Sequence, residues 1–196
     1  MQRRFFYYIK AGLLFSGLAF VSACSVTPQV ASVQTLYDYQ IVDSENQRYL
    51  NLAQTLAKLA DSDVVFLGEF HGHPASHLLQ SRLQQGLFAL RPQQILSMEQ
   101  FERDSQPIVN RYLYGELGEA AFMQQARAWN NYSASYRPLV EFAKMQGLEV
   151  VASNAPADIV RCVGREGESY LTKLNAQELA WIAQQPFTND AAYETK

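Results

Sequence analysis

A short apolar run that leads into an acid and three histidines is the feature that most constrains how this chain folds. The run Val64–Leu67 consists of four apolar residues and ends at Gly68. Apolar residues without alternation are typical of a strand buried on both faces, as in a parallel sheet. Pro74 then marks the start of a helix, because proline suits the first helical turn. The segment therefore predicts a strand, a loop and a helix in that order.

The loop between these two elements carries residue types that indicate a site. Glu69, His71, His73 and His77 lie within nine positions, and the chain has no other histidine. In open α/β sheets, ligands bind beyond the carboxyl ends of the strands, which is where this loop lies. The simplest interpretation of His73 is a solvated loop residue. Glu69 and His71 are expected to line a cleft.

Two further apolar runs predict strands whose carboxyl ends lie at the same edge of the sheet as that of the first strand. Ile95–Met98 is followed by Glu99, and Val150–Ser153 is followed by Asn154. Helical segments separate the strands, and this alternation predicts a parallel sheet with right-handed crossovers. The expected fold class is α/β, a three-layer domain with a parallel sheet flanked by helices and extra helical segments.

Helical periodicity and end signals place three of these helices. Pro74–Leu90 carries leucines on one face, and Pro138–Gln146 is followed by Gly147, a residue type that often ends helices. Asn175 with Glu178 resembles a capping box that begins a later helix. Helices therefore lie between and after the predicted strands.

The polar residues at the strand ends are expected to share one ligand cleft, because the carboxyl ends of parallel strands meet at one edge of a sheet. The predicted members are Glu69, His71, His77, Glu99 and Asn154. Glu69, His71 and Glu99 could also hold a divalent metal that activates water, which makes a metal-dependent hydrolase one candidate function. The chain has no GxSxG nucleophile elbow, and this argues against a serine hydrolase.

The N-terminus is typical of a secreted bacterial lipoprotein. Basic residues precede an apolar stretch at 11–20, and small residues lead from it to Cys24. The apolar stretch is shorter than the roughly 20 residues that a membrane-spanning helix needs, so it predicts a cleaved signal. We predict a signal peptide at 1–23, lipid attachment at Cys24, and a polar tether at 24–35.

Cleavage before Cys24 would leave an acidic chain. The three basic residues of the signal are lost, so Lys+Arg falls from 16 to 13 against 19 Asp+Glu, a net charge of −6. No nucleic-acid partner is expected for such a chain, and the membrane is reached through the lipid. Ser25, rather than an acidic residue, follows the cysteine. The predicted location is the outer membrane of the bacterial envelope, facing the periplasm.

Spaced motifs run through the middle of the chain in a characteristic order. They are Gly68-Glu69-Phe70-His71, His77, Met98-Glu99, Gln106-Pro107, Trp129, Tyr136-Arg137-Pro138 and Asn154-Ala155-Pro156. In this order they resemble the ChaN-like haem-binding uptake family, which is similar to the wider Tiki/TraB and erythromycin-esterase group. The resemblance covers roughly Leu36 to Cys162 and implies an α/β fold and a haem-binding lipoprotein of haem and iron uptake. The wider group implies the alternative, hydrolysis by the Glu/His cluster.

The resemblance also implies haem as the cofactor, and we expect a tyrosine to bind its iron, since a phenolate suits ferric iron. Tyr136 and Tyr132 are the predicted ligands, with Trp129 as aromatic surface and Arg137 as a cation for the propionates. A homodimer around the haem is expected, because one small domain would leave much of it exposed. Family members continue beyond the point where this chain stops, so the single domain at 36–196 is expected to be incomplete at its C-terminus.

The lipid anchor is testable with labelled palmitate. Label should enter the wild-type chain expressed in bacteria and not Cys24→Ser, because only a cysteine directly after the cleavage site is acylated. Cys162→Ser is the matched control and should be labelled like the wild type. Equal labelling of the Cys24→Ser variant and the wild type would rule out Cys24 as the anchor.

Overall fold

Eight α-helices and four strands make up the described part of the chain, residues 32–184 of this computed structural model. In chain order they are β1 (Ile41–Asp43), β2 (Arg48–Leu50), α1 (Leu52–Leu59), α2 (Pro74–Leu90), β3 (Ile95–Glu102), α3 (Gln106–Leu113), α4 (Glu119–Gln125), α5 (Tyr132–Ser135), α6 (Arg137–Gln146), β4 (Glu149–Asn154), α7 (Ala157–Glu166) and α8 (Ala176–Leu179). Short 3-10 helices lie at Arg103–Ser105 and Glu168–Lys173. Helices flank a small parallel sheet, so the predicted α/β class is confirmed.

Strands β3 and β4 form the parallel sheet at the centre of the described fold. Their register runs from Ile95 opposite Glu149 to Met98 opposite Ala152, and then shifts so that Glu102 faces Asn154. The predicted parallel arrangement of these two strands is confirmed. Strand β3 continues past Met98 because Phe101 is fully buried in the core. Glu99 therefore lies within the strand rather than after it.

The hydrophobic core lies on one face of this sheet. Met98 on β3 and Val150 and Ala152 on β4 point into it, as the period-2 alternation of strands requires. Helices α3, α4 and α6 supply the opposing side chains, and the rings of Tyr112 and Phe122 stack with centroids 4.2 Å apart. Each large side chain buried in this way contributes on the order of 1.5–3 kcal/mol to stability.

The strand predicted at Val64–Leu67 is wrong. These residues form no strand and are largely exposed, with Val64 at 66% and Phe66 at 91% of full exposure. An apolar run shows that a segment favours burial, but it does not specify the neighbour that buries it. In the described part of the chain, the side of β3 that bears Ile95, Ser97 and Glu99 is likewise exposed. A cleft separates the two segments.

Predicted helix ends agree closely with the structure. Helix α2 has the predicted bounds, with exposed His73 as the residue that caps its N-terminus. Gly147 ends α6 in the left-handed conformation, at φ 68°. Asn175 and Glu178 form the predicted capping box of α8. Strands β1 and β2 form an antiparallel hairpin.

The predicted signal peptide at 1–23 and the predicted lipid site Cys24 lie outside the described residues, as does the tether as far as residue 31. Residues 185–196 also lie outside them. Within 32–184, no helix is both long and apolar enough to cross a bilayer.

Alanine substitutions at two glycines test the backbone conformation after α6 and inside α7. Gly147→Ala should lower the free energy of unfolding by roughly 1–2 kcal/mol, because a Cβ disfavours the left-handed conformation. Gly164→Ala, inside α7 with open space around it, should raise the free energy of unfolding by about 0.4–1 kcal/mol. Urea unfolding of both variants measures the difference. Equal effects would contradict the assigned conformations.

Candidate functional site

Glu69 is the centre of a hydrogen-bonded cluster at the end of the cleft. Its side chain is 4% exposed, and its Oε1 accepts hydrogen bonds from the Tyr136 hydroxyl at 2.5 Å and from His71 Nδ1 at 3.0 Å. Gln80 Nε2 donates to Oε2 at 2.5 Å, and Gln100 Nε2 lies 3.5 Å from Oε1. A buried carboxylate needs such partners, because without them the loss of its hydration would strongly destabilise the folded state.

These contacts determine the charge of the cluster. Burial alone raises the pKa of Glu69, but hydrogen bonds from Tyr136, His71 and Gln80 outweigh it and hold this pKa below its ordinary value. Glu69 is therefore a carboxylate at neutral pH. Burial, together with the hydrogen bond to Glu69, raises the pKa of Tyr136 to about 12. The phenol consequently keeps its proton and acts as a donor.

His71 is exposed, and Glu69 holds one of its two ring nitrogens. Its side chain is 57% exposed, and Glu69 fixes Nδ1. The ring rests edge-on against Trp129, with centroids 4.9 Å apart. A carboxylate on Nδ1 favours the tautomer with the proton on that nitrogen, which leaves a lone pair on Nε2. His71 is thus prepared to bind a metal centre.

His77, on the first turn of α2, contacts the loop that carries Glu69 and His71. It is buried, and its Nε2 lies 3.0 Å from the backbone carbonyl of His71. Its Nδ1 lies 3.2 Å from Gln80 Oε1 and 3.2 Å from Glu69 Oε2. Asn131 Nδ2 donates to the same His71 carbonyl at 2.9 Å. The loop is therefore attached both to α2 and to the segment before α5.

The structure brings together most of the predicted cleft residues. One ligand atom each from Glu69, His71 and Glu99 lies within 4.8 Å of the others, close enough to surround one metal ion. Glu99 is exposed and has no ion-pair partner among residues 32–184. Asn154 is placed differently. It lies exposed at the end of β4, and no hydrogen bond in the described part of the chain joins it to the cluster.

The two predicted tyrosine ligands are buried side chains in this structure. Tyr132 is 0% and Tyr136 1% exposed. Tyr132 packs against Phe122 in the core, where burial raises the pKa of its phenol and disfavours the phenolate. Tyr132 lies on α5 and Tyr136 directly before α6, and both side chains are turned inward. Burial therefore favours the protonated phenol over the phenolate at both residues.

The other two haem candidates differ in availability. Trp129 is half-buried and lies between His71 and Tyr136, with ring centroids 4.9 Å and 5.8 Å away. Arg137 donates to the carboxylate of Glu119 from two nitrogens, at 2.5 Å and 3.1 Å. Trp129 is therefore part of the cluster surface, whereas the Arg137 guanidinium already has an anionic partner.

Three polar residues of the cluster were not predicted from the sequence. They are Gln80, Gln100 and Asn131. Gln80 follows His77 by three positions on a helix, a spacing that puts both on one face, so this contact could have been anticipated. Gln100 and Asn131 reach Glu69 and the His71 carbonyl from distant elements. Neither residue has a local sequence signal that indicates such a contact.

The fold and the cluster together define an α/β domain with an acid–imidazole site beside its parallel strands. The model of the family described as haem-binding uptake, Tiki superfamily, ChaN matches residues 55–196, and the chain belongs to this family. No curated protein and no solved structure matches the chain. The resemblance inferred from the motifs is thereby confirmed.

The lowered pKa of Glu69 predicts a pH-dependent contribution to stability. In the folded state this pKa lies below 4.5, so the carboxylate stabilises the fold above that pH and loses its contribution as pH falls through the folded pKa. Glu69→Gln should therefore destabilise the protein more at neutral pH than in acid, as measured by urea unfolding across pH. Glu116→Gln, at a largely exposed carboxylate, should show no such pH-dependent difference. A difference for Glu69→Gln that stays constant with pH would contradict the assignment.

Proposed function

We propose that this protein is a lipid-anchored haem-binding protein that serves haem and iron uptake at the bacterial cell envelope. Membership of the haem-binding uptake family supports haem as the ligand. The observation that carries the proposal is the exposed imidazole of His71, whose Nδ1 is held by buried Glu69. This arrangement leaves Nε2 open for iron.

The residues around His71 suit a haem. Imidazole is a common axial ligand of haem iron, and a carboxylate on its far nitrogen fixes the ring and raises its basicity. Trp129 lies against the ring, and neighbouring Phe70 is 83% exposed. These two aromatic side chains would contact a broad, flat and apolar macrocycle. Haem here is the cargo, and its iron is what uptake would deliver.

Tyr136 has an indirect role in this proposal. Its hydroxyl donates to Glu69, and Glu69 orients His71. The loop carbonyl of His71 is held by Asn131 and His77, so the imidazole position is fixed before the ligand arrives. A prepared site loses less conformational entropy when it binds.

Attachment and assembly complete the proposal. The lipid at Cys24 would hold the domain at the outer membrane, facing the periplasm, with residues 24–35 as tether. One exposed imidazole on one chain covers one side of a haem, which supports a homodimer that encloses the cofactor between two copies.

A haem titration followed at the Soret band tests the function. The wild type should bind haem, and His71→Ala should shift the band and weaken binding by about 10–100-fold, because it removes the axial ligand. His73→Ala is the matched control, since this exposed histidine lies outside the cluster, and it should bind as the wild type does. A folded wild-type chain that does not bind haem would overturn the proposal, and equal losses in both variants would exclude His71 as the ligand.

A metal-dependent hydrolase is the second candidate function. It is favoured by the approach of Glu69, His71 and Glu99 to within 4.8 Å. These groups would hold a divalent cation, which supplies an activated water when bound. Glu99→Gln separates the two functions, because Glu99 is a proposed ligand of the metal and not of the haem iron. Loss of bound metal and of hydrolysis with unchanged haem affinity would establish two separate properties, whereas metal-free wild-type protein would exclude the hydrolase.

A further inference from the structure

We propose that the cleft between residues 63–69 and β3 is a docking groove for an extended, apolar peptide segment with a cationic residue near Glu99. This inference goes beyond the haem function and rests on different observations. They are the backbone of both walls, which is unpaired within the described residues, the exposed apolar side chains that line these walls, and the acidic residues of the groove.

Within residues 32–184, the backbone of both walls has no partner on the side that faces the cleft. Among residues 32–184, β3 pairs with β4 alone, so the opposite edge of β3 is free. Residues 63–69 belong to no sheet, and none of their backbone groups joins another backbone group in the described part. Free N–H and C=O groups along an edge are a template for an added strand. A peptide strand supplies both donors and acceptors, which a purely apolar ligand cannot do.

The side chains of the groove are largely apolar. Val64, Phe66 and Leu67 on one wall and Ile95 on the other are exposed. Leu87 and Leu139 also line the cleft, which has a volume of about 1130 Å³. That exceeds the range of about 300–1,000 Å³ that is usual for small-molecule pockets. Size and lining together suit an extended segment of several residues.

Charge selects among such segments. The acids that line the groove are Asp63, Glu69 and Glu99, and the one lining cation among residues 32–184 is Arg91. The Arg91 guanidinium already donates to the carbonyls of Ala60 and Ser62. Glu99 has no such partner in the described part of the chain. A lysine or arginine at the end of a strand that runs parallel to β3, as β4 does, would complement it.

Fluorescence anisotropy of a labelled peptide tests the groove. The probe is fluorescein-labelled Thr-Val-Thr-Val-Thr-Val-Lys-amide, titrated with the full chain in the presence of EDTA so that no metal occupies Glu99. We expect saturable binding that weakens by about tenfold or more when glutamate replaces the peptide lysine, because like charges then face each other. Methylation of alternate peptide nitrogens should abolish binding, since it removes the backbone donors.

Two protein variants locate the site. Ile95→Lys puts a charge on the wall of the groove and should weaken peptide binding by about tenfold or more. Val160→Lys is the matched control. It also places a lysine at an exposed apolar residue, but on α7 and outside the groove, so this variant should bind the peptide as the wild type does.

Other results would overturn the proposal. Equal binding of the methylated peptide would show that backbone pairing is not involved, and absence of binding by the folded wild type would exclude a peptide groove. A dimer of the peptide-free chain in sedimentation that Ile95→Lys dissociates would assign the groove to a second copy instead. Haem binding and peptide binding are measured on the same protein by separate titrations, so failure of the haem proposal and failure of this one are distinguishable.

Discussion

The buried carboxylate of Glu69 is the interaction on which the site depends. An ionised group at 4% exposure persists in the folded state only if hydrogen bonds replace its hydration. The donors come from the loop itself, from α2, from β3 and from the residue directly before α6. One carboxylate therefore links four parts of the chain, and the tautomer of His71 follows from it. Loss of this charge would affect the geometry of the loop as well as its chemistry.

The site residues follow from the sequence only in part. Glu69, His71 and Glu99 could be placed together because acids and imidazoles after apolar runs are expected at one sheet edge, and His77 follows on the first turn of α2. The donors Gln100 and Asn131 could not be anticipated, because ordinary amides on distant elements carry no local pattern. The same is true of the burial of Tyr132 and Tyr136, which depends on how α5 and α6 pack.

The fold shows the same division. Helix ends were predictable because caps are local, as at Asn175 with Glu178 and at Gly147. The parallel pairing of β3 and β4 was predictable from alternation of strands and helices. The prediction of a strand at Val64–Leu67 was wrong, because a strand needs a neighbouring strand to pair with and the described chain brings none to this segment. Its apolar character nevertheless shows the environment that this segment favours.

The one-sided core gives the domain an unusual thermodynamic property. Side chains such as Met98 and Val150 are buried on one face of the sheet, while Ile95 on the other is exposed within the described residues. A molecule that covers the exposed face binds the folded chain and not the unfolded one, so it stabilises the fold by an amount that grows with its concentration relative to its Kd. The melting temperature of this protein should then rise with the concentration of whatever covers that face, so the amount of folded protein would report on its availability.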